Sequence, residues 1–253
     1  MKRVIVNADD FGWNDHTFEW TVKGFECGAL TSASIMAGMP ATDRAVEFAN
    51  AHPEFSFGVH FYLVDEKPMS RPEDIPSLID PATGRLWRTR QFILKNFAGA
   101  LDVEDLKREL RTQYTALKDL GLDISHVDGH GHNHRLPQSL KALEALKEEL
   151  GIDRVRRCQD LFCGKSGLLS RLINRPMQTR MEDCGFSTAD HFLMNAGHSD
   201  DPKWFSKALA ALPDGITEIG IHPGVDEPWR KIDTEDCYAC DFKGVEKITY
   251  WTV

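Results

Sequence analysis

No stretch of the chain approaches the ~18 consecutive apolar residues that a membrane-spanning helix requires. Positive charge is also short: 30 Lys and Arg stand against 39 Asp and Glu, a net charge of -9. That balance argues against a nucleic-acid backbone as partner, and Arg154, Arg156 and Arg157 are too few to form a basic patch. No G-x-S-x-G elbow, no G-x-x-x-x-G-K-[ST] phosphate loop, no G-x-G-x-x-G fingerprint and no H-E-x-x-H helix is present, so the usual signs of serine hydrolases and nucleotide-handling enzymes are missing. Internal repeats and low-complexity tracts are absent too. The basic start Met1-Lys2-Arg3 leads into an apolar run that stops at Asn7-Ala8-Asp9-Asp10. That run is too short for the core of a signal peptide, and the expectation is a cytoplasmic protein. The six cysteines then read as free thiols, since disulfides are rare in that compartment. A four-thiolate zinc site from Cys158, Cys163, Cys237 and Cys240 is the weaker alternative, because one C-x2-C pair carries little information.

What is present is a chain 42% hydrophobic and 27% charged, a globular balance able to bury a sizeable core. Its 253 residues fit one large domain or two small ones, and no linker divides them. Short β-rich runs alternate with amphipathic stretches. Strands are expected at 2–6, 32–37, 55–61, 124–127, 154–156 and 217–222. Helices are expected at 15–27, 42–51, 103–120, 137–150, 168–181 and 202–211, with Pro176 blurring the end of the fifth. The clearest helical stripe is Leu106, Leu110, Tyr114 and Leu117. Residues 65–90, with four prolines, read as a long irregular loop. The tail from Lys231 to Val253 has no clear assignment. Strand–helix alternation of this kind implies parallel βαβ units, either as an open sheet or as a TIM-like β/α barrel.

Polar residues recur at the C-terminal ends of the expected strands: Asp9 and Asp10, His60, His130, Arg156 and His222. Sites in parallel sheets and barrels gather at that edge. Successive residues on a strand face opposite ways, so Asp9 and Asp10 can do different work, one binding a cation and the other managing water; the bland alternative is a helix N-cap. His126 to His134 holds four of the ten histidines. If that run is extended, His130, His132 and His134 project to one side, and two or three histidines with a carboxylate suit a divalent cation with an open water position. Asp128 can orient a histidine through its second ring nitrogen. Glu218, or another carboxylate, can tune His222 as a general acid. Asp190, beside His191 in an expected loop, can line a substrate cleft, and Arg156 can pair with a site carboxylate or hold a substrate oxygen. A solvated His-rich loop and hydrogen-bonded structural histidines are the bland readings of the same residues.

Taken together, Asn7-Ala8-Asp9-Asp10-Phe11-Gly12, Thr31-Ser32-Ala33-Ser34, Gly58-Val59-His60, His126-Val127-Asp128-Gly129-His130-Gly131-His132 and Ile221-His222-Pro223-Gly224 resemble the YdjC-like (ChbG/HpnK) carbohydrate deacetylases. They occur in that family's order over about the first 225 residues. The resemblance implies a single-domain, distorted and incomplete parallel β/α barrel over 1–253, with 231–253 as an atypical tail. It implies hydrolysis of the N-acetyl group of a small acetylated amino sugar, using a divalent cation such as Mg or Zn. By resemblance, Asp10, His60 and His130 hold the metal, Asp9 is the base and His222 the acid; the roles of Asp9 and Asp10 are open to exchange. Asp128, His132, His134, Arg156, Asp190 and Glu218 become supporting or substrate-binding residues. Gly129, Phe61-Tyr62 and the tail depart from the family's usual pattern. Another metal-dependent amide or phosphoester hydrolase, and a non-catalytic sugar- or metal-binding protein, are the competing functions. A homodimer is a possible assembly.

Overall fold

Alternation with a period of two decides which side of each strand meets the helices and which lines the interior. In strand β1 (Lys2–Phe11), Val4, Val6 and Ala8 join the main apolar core, while Asn7 and Asp9 are buried polar residues on the other face. The structure, a computed structural model, describes residues 1–162 and 167–253, with the side chains of 167–169 left aside. After β1 come α1 (Asp15–Glu26), β2 (Ser32–Ile35), α2 (Thr42–Ala51) and β3 (Ser56–Phe61). A short hairpin of β4 (Ile79–Asp80) and β5 (Arg85–Leu86) precedes α3 (Thr89–Phe97), α4 (Val103–Asp119), β6 (Ile124–Gly129) and α5 (Pro137–Leu150). The chain continues through α6 (Gly167–Asp183), β7 (His191–Met194), α7 (Trp204–Ala210), β8 (Gly215–Ile221), α8 (Pro228–Tyr238) and β9 (Glu246–Lys247).

The main sheet is parallel, in the order β6-β3-β2-β1-β8-β7. Between its outer strands, among the described residues, only single bridges are made, Val127 to Val155, Arg154 to Ser187 and Leu161 to Leu193. The expected strand at 154–156 is therefore reduced to bridges, and the sheet curls into an incomplete barrel rather than closing. Inward-facing positions are small or polar in strand after strand: Ser32 and Ser34, Ser56, Gly58 and His60, His126 and Asp128, Glu218 and Gly220. Outward positions such as Ala33, Ile35, Phe57, Val59, Val127, Ile219 and Ile221 pack under the helices. The interior is tight. A Cβ on Gly58 would lie 2.5 Å from the His126 ring, and one on Gly220 2.4 Å from Met194.

Local signals account for the helices. Asn14 and Thr17 make a reciprocal capping box at the start of α1. Pro137 opens α5 and Gly151, at φ 67°, ends it. Residues 65–90 are less irregular than expected. They contain two 3-10 turns (Pro72–Asp74 and Pro76–Leu78), the β4–β5 hairpin and the first residues of α3. Buried Glu109 of α4 accepts from the amides of Met69 and Ser70 (2.9 Å each), and Asp105 from that of Ser77 (2.9 Å), which docks the segment. α6 continues through Pro176 to Asp183. No helix among the described residues is long and apolar enough to cross a membrane. Cys27, Cys158, Cys184, Cys237 and Cys240 are free thiols, and Cys163 lies outside the described residues.

Gly58→Ala should force the His126 ring from its place and destabilise the fold by about 1–3 kcal/mol. A thermal melt checks this; an unchanged midpoint would show that the barrel interior has slack.

Candidate active site

The backbone of β1 is bent where the site begins. Asp10 has φ 60°, and the register with β2 shifts between Ala8 and Phe11. A left-handed non-glycine residue costs about 1–3 kcal/mol and persists only where its surroundings enforce it. The consequence corrects a strand-based expectation: Asp9 and Asp10 do not face opposite ways but turn into one cluster. Asp10 meets His60 and His130, and Asp9 meets His60 and Asp128, with potential ligand atoms in each trio within 4.8 Å of one another.

Asp10 is fully buried. Its Oδ1 lies 3.0 Å from His130 Nδ1 and 3.4 Å from His60 Nε2, and its Oδ2 accepts from Arg230 at 2.7 Å. Burial alone would raise its pKa; His130 and His60 outweigh that and hold the carboxyl well below its usual range. His60 is oriented from behind, its Nδ1 2.7 Å from Asp128, which in turn accepts from Ser34 at 2.9 Å. Burial would lower the His60 pKa, but the facing carboxylates of Asp128 and Asp10 lift it to about 10. Nδ1 is engaged by Asp128, while the buried Nε2 faces Asp10 at 3.4 Å without a hydrogen-bond partner, so a cation bound there would take the place of its proton. Two imidazoles and a carboxylate, one ring set by a carboxylate behind it, fit a divalent cation.

Asp9 is held differently. Arg156 grips both of its oxygens, at 2.7 and 2.6 Å, and Asn7 donates to one at 3.0 Å. The same guanidinium reaches Asp128 and Glu218, each at 2.7 Å. Arg156 is fully buried; burial opposes its charge, but the three carboxylates keep it protonated. It is thus a structural counter-ion, with its donors engaged by protein rather than offered to a substrate oxygen. Glu218 shows the opposite balance: burial, only partly offset by Arg156, raises it to about 7.

His222 follows β8, with Nε2 4.0 Å from Asp9 and Nδ1 3.8 Å from Asp233. Asp233 Oδ2 and His222 Nδ1 are both buried without a hydrogen bond. Asp233, on α8, is therefore the carboxylate behind His222; Glu218, further back in the barrel, is committed to Arg156. The histidine run is not extended. It forms 3-10 turns with Gly131 and His132 left-handed, at φ 60° and 55°. Only His130 of the alternating three meets Asp10. His132 packs edge-on against Phe192 and lines a cavity of about 380 Å³ that also touches Asp9 and His222. His134 is buried and bonds the carbonyl of Arg156 at 3.2 Å; burial pushes it down to about 4. Asp190 is not brought to the cluster. It lies at the opposite end of the sheet, just before β7, and its carboxylate accepts from the amide of Ile216 at 2.8 Å.

Arg230, Asp233 and Tyr250 escaped the sequence reading, as did Asn7 and Ser34 as individual residues. Arg230 lies against Trp13 and Trp229, 5.4 and 4.7 Å from the ring centres. Arg156→Leu should cost about 3–5 kcal/mol, because it leaves Asp9, Asp128 and Glu218 buried without their counter-charge. Carboxyls forced upward in the folded state take up protons on folding, so this variant should gain stability as pH falls. Urea melts at two pH values read both effects; wild-type stability would contradict the counter-ion role.

Similarity to known proteins agrees with this layout. The YdjC-like protein family matches residues 3–249. A carbohydrate deacetylase of Geobacillus stearothermophilus is 35% identical over 147 residues, spanning 58% of this chain but only 56% of that protein. One from Thermoanaerobacter pseudethanolicus is 28% identical over 234 residues, covering 88% of this chain and 81% of that protein. A crystal structure from Enterococcus faecalis V583, of a protein with cellobiose-phosphate cleavage as its candidate role, superposes with a TM-score of 0.80 at 21% identity, covering 99% and 98% of the two chains. That likeness carries the fold alone. With the family match running through every strand of the curled sheet, the chain belongs to the YdjC-like family.

Proposed function

We propose that the protein hydrolyses the N-acetyl group of an acetylated amino sugar, using a divalent cation held by Asp10, His60 and His130. The observation that carries this reading is the convergence of those three side chains beside Asp9, with His222 4.0 Å from Asp9. Relatives named carbohydrate deacetylase support the substrate class. The cavity of about 380 Å³ falls in the range of small-molecule sites and suits one or two sugar rings.

Bound at this trio, a divalent cation supplies Lewis acidity to the amide oxygen and to water. The remaining chemistry belongs to the side chains. Asp9, pinned by Arg156 and Asn7, keeps lone pairs free to take a proton from the attacking water. Arg156 fixes the direction of that carboxylate and neutralises part of its charge. An amide nitrogen leaves poorly unless protonated, and His222, backed by Asp233, stands where it can deliver that proton. This separate acid favours acyl over phosphoryl transfer, since a phosphoester oxygen places less demand on leaving-group protonation. N-acetylglucosamine oligomers and glycoconjugates are the first candidates for substrate.

Acetate release from N-acetylglucosamine oligomers, abolished by chelator and restored by added cation, is the expected result; a phosphoester panel should show no turnover. Asp9→Asn and His222→Ala should each lower kcat by about 10²–10⁴ while cation still binds. Normal turnover by Asp9→Asn would remove Asp9 as the base. Asp128→Asn should weaken cation affinity about 10–100-fold by freeing the His60 ring. Calorimetric titration measures this, and unchanged affinity would contradict the orientation assigned to His60.

A further inference from the structure

The tail that resisted assignment returns to the N-terminal end of the barrel. β9 pairs with the first residues of β1. β8 occupies the other edge of β1, so β9 fills the row beneath β2. Ile248 donates to the carbonyl of Val4 at 2.9 Å, Tyr250 N–H to Ser56 Oγ at 3.0 Å, and Arg154 to the carbonyl of Val253 at 3.0 Å. These bonds set the Tyr250 side chain, fully buried, inside the barrel. Its ring stacks on His126 with centroids 3.6 Å apart and planes within 7°. Ile5, Ala189 and Ile216 enclose the rest. Its hydroxyl donates to Oε2 of Glu218, whose Oε1 accepts from Arg156 Nε at 2.7 Å. The other guanidinium nitrogens grip Asp9 and Asp128. An unbroken chain of hydrogen bonds therefore runs from the C-terminal turn to Asp9.

We infer that Tyr250 is a positioning residue for catalysis, holding Glu218 so that Arg156, and through it Asp9, keeps its orientation. The inference rests on the proposed role of Asp9. Tyr250 lies one residue beyond the part of the chain that the YdjC-like family matches. A carboxylate bonded only by Arg156 is free to rotate about its last side-chain bond; the phenol hydroxyl on the second oxygen removes that freedom. The apolar ring alone would suffice to plug the barrel floor, so the hydroxyl carries the positioning role.

Tyr250→Phe keeps the ring and its stack and removes only the hydroxyl. Expected is a fall in kcat of about 10–100-fold, of the kind a small displacement of a catalytic group produces, with KM and cation affinity unchanged. On a Glu218→Ala background the same substitution should cost no further rate, because the link is already cut. A purely structural Tyr250 would lower the melting temperature and leave kcat per folded molecule intact, and that result would overturn the inference, as would additive losses in the double variant. The guanidinium ¹⁵N signals of Arg156 give a readout that needs no turnover. They should move in Tyr250→Phe, and signals that stay fixed would overturn the chain of contacts even in a protein that released no acetate.

Discussion

The site depends on one guanidinium. Arg156, fully buried, is shared by Asp9, Asp128 and Glu218, which come from three different strands. Carboxylates are gathered at this density only where their charge is offset, since an unpaired buried charge costs several kcal/mol. Arg230 does the same for Asp10. Four buried carboxylates thus meet two guanidinium groups, and part of the charge left over falls on His60. The low effective dielectric of the barrel interior makes these interactions strong and any misplacement costly.

The polar hub divides the barrel into layers. Above it, at the C-terminal edge of the strands, lie Asp10, His60 and His130, while Asp9 and His222 line the cavity. Below it, Glu218 and Tyr250 seal the floor, and His126 lies flat against the tyrosine. The same residues therefore serve packing and chemistry. Small inward side chains in β2 and β3 leave room for the arginine and the imidazoles, and bulky outward ones anchor those strands beneath the helices. The polar α8 contributes Arg230 and Asp233 from one face and completes the rim.

Much of this was legible in the sequence, because alternation and strand ends obey simple rules. The parallel βαβ order and the strand-end placement of Asp9, Asp10, His60 and His222 follow from local pattern, whereas for Arg156 the pattern leaves a site carboxylate and a substrate oxygen equally open as partners. The left-handed turns at Asp10 and His132 do not, since nothing in those residue types announces them. They decide that both aspartates converge and that His132 and His134 do not project alongside His130 toward Asp10. α8 buries Arg230, Asp233, Thr234 and Asp236. A helix with a polar buried face shows no apolar stripe, so its two contributions stayed hidden. β7 has four residues, too short for a periodic signal, and Asp190 was misplaced with it. Tyr250 acts at a distance of nearly two hundred residues from its partner Ser56, which no local window reveals.

The most direct test of the site is a crystal structure of the cation-loaded protein. The proposed site predicts a single divalent cation, located by its anomalous scattering, held by Asp10, His60 and His130. A cation bound elsewhere, with His60 Nε2 still unengaged, would contradict it.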